Sequence, residues 1–118
     1  MVEVLCSYVL LKYSPTVRSE AGLPCLVVVF RQQGNVDGKG FLEVIALKEW
    51  PEEISREHRE YLDALIEDWK SKPPSEAATL FKYLSNLTIG PLRSVHTDQC
   101  SPSELRKIVS RFLGEDLE

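Results

Sequence analysis

The chain has 118 residues, of which 43% are hydrophobic and 27% are charged. This length suits one hydrophobic core and the composition is that of a globular protein, so we expect a single domain over residues 1–118 rather than a disordered or fibrous chain. The formal charge of −4 disfavours a nucleic-acid partner, because affinity for duplex DNA depends largely on cations that replace counterions.

The cysteines bear on the cellular compartment. Cys6, Cys25 and Cys100 are odd in number and widely spaced, unlike the disulfide framework of a small secreted protein, which predicts a cytoplasmic location. The sequence does not open with a basic segment followed by an apolar one. Its longest apolar runs, such as residues 26–30, are far shorter than the ~20 residues that cross a bilayer. Neither export nor a membrane partner is predicted.

The first half of the chain predicts three strands. Residues 4–13 and 25–31 are rich in β-branched, aromatic and aliphatic side chains, and prolines bound both runs. A third such run follows at residues 41–50. Residues 32–40 between the second and third runs hold three glycines, an asparagine and an aspartate, which favour a turn. The second and third strands are therefore predicted to form a hairpin.

The second half predicts helices. Pro51 suits the first turn of a long helix, and Ser75 suits the N-cap of a second one. Apolar residues recur at three- and four-residue steps along the first of these helices, and they are Ile54, Tyr61, Leu62, Leu65, Ile66 and Trp69. This spacing predicts one buried stripe opposite an acidic face. His58 is expected on that solvated face.

A last strand and helix complete the fold. Residues 88–97, interrupted by a Gly-Pro step, predict an extended connection or a short edge strand. Residues 101–104 read Ser-Pro-Ser-Glu, a capping box that predicts the start of a helix, and Gly114 predicts its end. The order βββααβα predicts an α+β fold with an antiparallel sheet of three to four strands, covered on one face by about three helices.

The most concentrated group of chemically active residues directly precedes the last helix. Cys100 next to a helix N-terminus would have a stabilised thiolate, and His96 could pair with it, which makes the two residues candidates for a cysteine-dependent enzyme. However, no local sequence of a known cysteine enzyme surrounds Cys100, and buried cysteines commonly serve only as small hydrophobic residues. The sequence leaves open whether the protein is an enzyme and favours the view that it is not.

Sites for metals and cofactors are not indicated. The possible ligands His58, His96, Asp98 and Cys100 lack the spacing of known zinc sites. The glycines at residues 34–40 lie between two strands and open no helix, so they match no phosphate-binding loop. No cofactor is therefore expected.

A basic patch is the second candidate site. Arg106, Lys107 and Arg111 lie near the end of the last predicted helix, where cations also complement the helix dipole. Binding of nucleic acid would require these residues to share one face with further cations elsewhere in the chain, namely Arg18, Arg31 and Arg93.

Three segments resemble a small bacterial family of unknown function whose members are often encoded beside a HipA-like kinase. They are the opening strand CSYVLLKYSP, the stretch RSEAGLPCLVVVFR and the late stretch IGPLRSVHTDQCSPSELRKIV. The resemblance implies a bacterial origin and an accessory or partner-binding role beside a kinase-like neighbour. It brings no catalytic residues that carry over to this sequence.

The leading hypothesis from the sequence is a non-enzymatic, cytoplasmic domain that binds another protein or a second copy of itself through a sheet edge or a helix face. The competing hypothesis is a small cysteine-dependent enzyme that uses Cys100 and His96. A weaker hypothesis is a nucleic-acid-binding module. The sequence specifies neither a small-molecule ligand nor the identity of a partner.

Overall fold

The computed structural model describes residues 5–14, 22–32, 40–86 and 91–114. The elements in these ranges are β1 (Cys6–Tyr13), β2 (Leu23–Gln32), β3 (Gly40–Ala46), α1 (Arg56–Lys70), α2 (Pro74–Leu84), β4 (Leu92–Cys100) and α3 (Pro102–Leu113). The four strands form one sheet in the order β3-β2-β1-β4, and neighbouring strands are antiparallel. The predicted α+β class, the order βββααβα and the hairpin of the second and third strands are confirmed. Residues 33–39, which hold most of the predicted turn, lie outside the described residues.

The first side of the sheet, here called the two-helix face, packs against α1 and α2. Its strand residues include Val9, Leu11 and Tyr13 of β1 and Leu26 and Val28 of β2. The helices contribute mainly Leu62, Ile66, Trp69 and Leu84 to the same apolar cluster. Burial of these aliphatic and aromatic side chains is the main source of stability on this face.

The opposite side, here called the one-helix face, packs against α3. Cys6 and Tyr8 of β1 lie there with Val27 and Val29 of β2, against a helix stripe formed by Leu105, Val109 and Leu113. The prediction of helices on one face only is therefore wrong. The physical reason lies in β2, whose residues from Cys25 to Val29 are fully buried: a strand that is apolar on both sides requires cover on both sides.

The start of α1 differs from the prediction. The helix begins at Arg56 instead of Pro51, and the Ser55 hydroxyl accepts a hydrogen bond of 3.3 Å from the His58 N–H. Residues 51–54 form a turn instead, closed by a bond from the Ile54 N–H to the Pro51 carbonyl. The Arg59 guanidinium donates to the carbonyls of Ile54 and Pro51, at 2.8 and 2.9 Å. Proline therefore marks the turn that leads into the helix rather than the helix itself.

The ends of the other helices test three capping predictions. The predicted cap at Ser75 is wrong, because α2 begins at Pro74 and no side chain caps it. The cap at Ser101 is confirmed, since its hydroxyl accepts from the Glu104 N–H at 3.3 Å. Gly114 ends α3 with a φ of 71°, a left-handed conformation that glycine adopts without the steric cost of a Cβ.

The segment predicted as an extended connection or edge strand is the edge strand β4. It runs three residues beyond the predicted end, to Cys100, and the bond from the Ser14 N–H to the Pro91 carbonyl continues its pairing with β1. Residues 87–90 lie outside the described part. None of the helices in the described ranges is both long and apolar enough to cross a bilayer.

Candidate functional site

Cys100 and His96 lie on the same strand but do not meet. Cys100 pairs across the sheet with Cys6, and His96 pairs with Leu10, so both point to the one-helix face. Four residues of extended strand separate their Cα atoms by about 13 Å. His96 instead lies 3.7 Å from the carboxylate of Asp98. The pairing of nucleophile and base that the sequence suggested is not formed in this structure.

The environment of Cys100 opposes a reactive thiolate. Its side chain is buried, and burial raises the pKa of its thiol to about 11, with a further contribution from the neighbouring Cys6 thiol. The carboxylates of Glu104 and Asp98 act in the same direction. Removal from water therefore outweighs the stabilisation that the start of α3 offers a thiolate.

The nearest reactive partner of Cys100 is another cysteine. The Sγ atoms of Cys6 and Cys100 are 4.0 Å apart, and the Cys6 thiol donates to the Cys100 carbonyl at 3.3 Å. The third cysteine, Cys25, is buried on the two-helix face, where its thiol donates to the Leu11 carbonyl. The structure thus gives Cys100 a partner from the other end of the chain.

The sequence predicted that His58 lies on a solvated helix face, and this prediction is wrong. His58 is partly buried and shares a hydrogen bond with the hydroxyl of Tyr13, a fully buried residue of β1. A buried hydroxyl without a hydrogen-bond partner lowers stability. The contact therefore gives His58 a structural role as the partner of the Tyr13 hydroxyl. Within residues 5–14, 22–32, 40–86 and 91–114, no three side chains of metal-ligating type converge.

The predicted basic patch on α3 is divided in two. At about 100° per residue, Lys107 and Arg111 project from the side of the helix opposite the buried stripe, whereas Arg106 projects from its flank. Arg106 lines a groove that also contains Arg31 of β2. Arg93 lies on β4, and Arg18 lies outside the described residues. Among the described cations, Arg31 and Arg106 share this groove, whereas Lys107 and Arg111 project away from it, so the cations of α3 do not form one patch.

The groove, here called the α3–β3 groove, lies on the one-helix face between α3 and the outermost strand. It has a volume of about 220 Å³. Ile45 of β3 and Leu105 and Val109 of α3 provide apolar walls. This surface arises because α3 packs mainly over β1 and β2, with Ile45 of β3 at the margin, and leaves Phe41 and Glu43 of β3 exposed.

The charged residues of the groove are two arginines and one glutamate. The Arg31 guanidinium lies 3.2 Å from the Glu43 carboxylate, and both side chains are about half exposed. An exposed ion pair of this kind contributes little to stability. With Arg106 on the opposite wall, the groove carries a net positive charge that an acidic group would complement.

The edge of β3 beside the groove is suited to pairing with another strand. Its register with β2 is continuous from Gly40 to Ala46, and within the described part of the chain no strand pairs with its outer side. Phe41 points to the same face as the groove residues, and 53% of its surface is exposed. An unpaired edge next to an apolar groove offers both main-chain and side-chain contacts.

The other edge strand, β4, is less suited. Its register with β1 shifts opposite Leu10 and Leu11, and such an irregularity twists an edge away from a second strand. Of the two edges, β3 is the more accessible to a partner.

Sequence reasoning did not find the groove. It is built by residues from β2, β3 and α3, and Arg31 and Arg106 are 75 positions apart in the chain. The only signal in the sequence was the requirement of the nucleic-acid hypothesis that Arg31 and Arg106 share a face.

The chain was compared with protein-family models, with curated proteins and with solved structures, and none of them matches it.

Proposed function

We propose that this protein is an interaction domain, not an enzyme, and that it binds an extended segment of a partner protein along the outer edge of β3. The observation that carries the proposal is the α3–β3 groove beside an edge that is unpaired in the described structure. Edge pairing supplies affinity through main-chain hydrogen bonds, while a neighbouring groove supplies selectivity through side chains.

The geometry of strand addition defines what the groove receives. In an added strand, side chains alternate between the two faces of the sheet. Every second residue of the partner would therefore lie on the one-helix face, next to Phe41, Glu43 and Ile45 of β3. From there, a long side chain reaches over β3 into the groove, because diagonal neighbours on adjacent strands lie within contact distance.

The chemistry of the groove specifies the partner segment. Its apolar walls favour an aliphatic side chain, and its net positive charge favours a carboxylate. We infer that the partner presents an extended segment with a leucine or isoleucine two residues from a glutamate or aspartate. Two residues is the spacing that places both side chains on the same face of a strand.

The cellular setting of this interaction is part of the proposal. All three cysteines are free and buried, which supports a reducing, cytoplasmic compartment. The resemblance to a bacterial family encoded beside a HipA-like kinase makes a kinase-like protein the first partner to test. A second copy of the chain is an alternative occupant of the same edge, and the experiment below distinguishes it.

The test uses fluorescently labelled ten-residue peptides with alternating polar and aliphatic residues and one Leu-x-Glu step. Fluorescence anisotropy with the purified chain measures Kd. We expect Arg106→Glu to weaken binding at least about tenfold, since it places a like charge against the peptide carboxylate. Lys107→Glu makes the same charge change on the solvent side of α3, so it should alter Kd less than about twofold.

Hydrogen exchange locates the bound peptide. Main-chain amides of β3 should gain protection in the complex, while those of β4 should not. A peptide with methylated nitrogens on the side that pairs should lose affinity, and one methylated on the opposite side should keep it. Protection at β4, or equal effects of Arg106→Glu and Lys107→Glu, would refute the assignment to β3. A dimer by light scattering that Arg106→Glu dissociates would show that a second copy occupies the edge.

A further inference from the structure

Cys6 and Cys100 face each other across two antiparallel strands. Cys6 is the first residue of β1, Cys100 is the last residue of β4, and the two are direct partners in the register. Both side chains are buried, and their Sγ atoms are 4.0 Å apart. They come from positions 94 residues apart in the chain, so only the folded protein holds them together.

We propose that Cys6 and Cys100 are a modification site at which a peroxide closes an intramolecular disulfide between β1 and β4. Directly opposed residues on antiparallel strands have Cα atoms about 4.5–5.5 Å apart. This separation falls within the range that disulfides span, about 4.4–6.8 Å. The sulfur atoms have only to approach from 4.0 Å to about 2 Å, which side-chain rotation supplies.

The reaction balances with hydrogen peroxide as the oxidant. One thiolate attacks a peroxide oxygen, the O–O bond breaks, and a sulfenic acid and water form once a proton is added. The second thiol then attacks the sulfenic sulfur, the S–S bond forms, and a second water leaves. In total, two thiols lose two hydrogens and one peroxide becomes two waters.

Access and protonation set the rate of this reaction. Both thiols are buried, but they lie at strand ends, where local opening is least costly. The raised pKa of Cys100, about 11, keeps the thiolate scarce at neutral pH. Attack by the Cys100 thiolate is therefore slow at neutral pH, and the rate of disulfide formation should rise with pH as more thiolate forms.

The disulfide would fix the start of α3 as well as the sheet. Cys100 is followed directly by Ser101, the N-cap of α3, and α3 forms one wall of the α3–β3 groove. The link joins β1 to the strand that leads into this helix. Because it closes a long loop, the oxidised form should melt at least about 5 °C above the reduced form.

The test uses the full chain with Cys25→Ser, which leaves only the proposed pair. Reduced protein is incubated with hydrogen peroxide at pH 7, 8 and 9, and its mass is measured before and after dithiothreitol. The expected product is a monomer about 2 Da lighter, with a cross-linked peptide that joins residues 6 and 100 and disappears on reduction. The Tm of both forms is measured by circular dichroism.

Two further variants keep the result interpretable. Cys6→Ser and Cys100→Ser, each combined with Cys25→Ser, should fold and lose the 2 Da change. The wild-type chain should give the same link, because Cys25 lies on the other face. A folded Cys25→Ser chain that keeps both thiols at pH 9, that forms only disulfide-linked dimers, or that proceeds to sulfinic acid without a link would overturn the proposal.

Discussion

The two faces of the sheet differ in how completely they are covered. On the two-helix face, α1 and α2 enclose a cluster that includes Tyr13, Leu62 and Trp69, all buried. On the one-helix face, α3 covers the middle strands but leaves the α3–β3 groove and an exposed Phe41. The first face is closed by its helices, and the second leaves an open groove and holds the two adjacent thiols.

This difference separates the effects of substitutions. A substitution on the two-helix face should mainly lower the free energy of unfolding, since close-packed interiors relax only partly around a lost side chain. A substitution of a charged groove residue such as Arg106 should mainly change binding, because its side chain is exposed already. Three experiments examine this difference.

The largest expected difference is between two leucines. Leu62→Ala, in the two-helix cluster, should lower the free energy of unfolding towards the upper end of about 2–5 kcal/mol. Leu105→Ala should cost towards the lower end of the same range, because Leu105 lines the groove and neighbouring side chains can move into the space. Urea denaturation followed by circular dichroism measures both losses.

A control for this pair is Tyr61→Ala, next to Leu62 on the exposed side of α1. It should change stability by no more than about 0.5 kcal/mol. Equal losses for Leu62→Ala and Leu105→Ala would show that the two faces are packed equally tightly.

The second experiment uses alkaline pH to examine the two-helix face. Burial raises the pKa of Cys25 from 9.0 to about 12, so the folded state holds its proton at a pH where the unfolded state has lost it. Stability from this thiol is complete below pH 9 and falls as pH rises, by up to about 1.4 kcal/mol per pH unit until about pH 12. Cys25→Ala should remove this contribution.

The measurement compares urea unfolding of the wild type and Cys25→Ala between pH 8 and 10.5. Lysines and tyrosines titrate in both proteins, so the difference between the two slopes isolates Cys25. A wild-type slope no steeper than that of Cys25→Ala would mean that the thiol is not shielded from water by this face.

The third experiment has the smallest expected effect and compares helices on opposite faces of the sheet. Ser101→Ala removes the side-chain cap of α3 and should cost about 1 kcal/mol. Ser75→Ala in α2 removes no cap, because α2 has none, and should change stability by less than about 0.5 kcal/mol. Thermal melts of the two variants provide the comparison. A larger loss for Ser75→Ala would contradict the observed start of α2.

Local sequence patterns predicted most of the elements. The capping box at Ser101 and the glycine at Gly114 marked both ends of α3 correctly, because these contacts involve residues three or four apart. The start of α1 was missed because proline favours the first turn of a helix and also the turn that precedes one. At Pro51, the hydrogen bond from the Arg59 guanidinium to the Pro51 carbonyl stabilises the turn that precedes the helix.

The candidate site could not be predicted in the same way. His58 was placed on a solvated face because its neighbours in sequence are charged, whereas its contact is Tyr13, 45 positions away. Cys100 was paired with His96, four residues away, although a strand carries those two apart and sets Cys6 beside Cys100. Residues that are close in sequence lie far apart in space when the segment between them is an extended strand.

The sequence by itself determined the number, order and type of the elements, because apolar periodicity, turn residues and caps act within a few residues of one another. The tertiary structure alone decided the strand order, the placement of α3 opposite α1 and α2, the meeting of Cys6 with Cys100, and the α3–β3 groove. These features depend on which surfaces exclude water together, and residues far apart in the chain supply those surfaces.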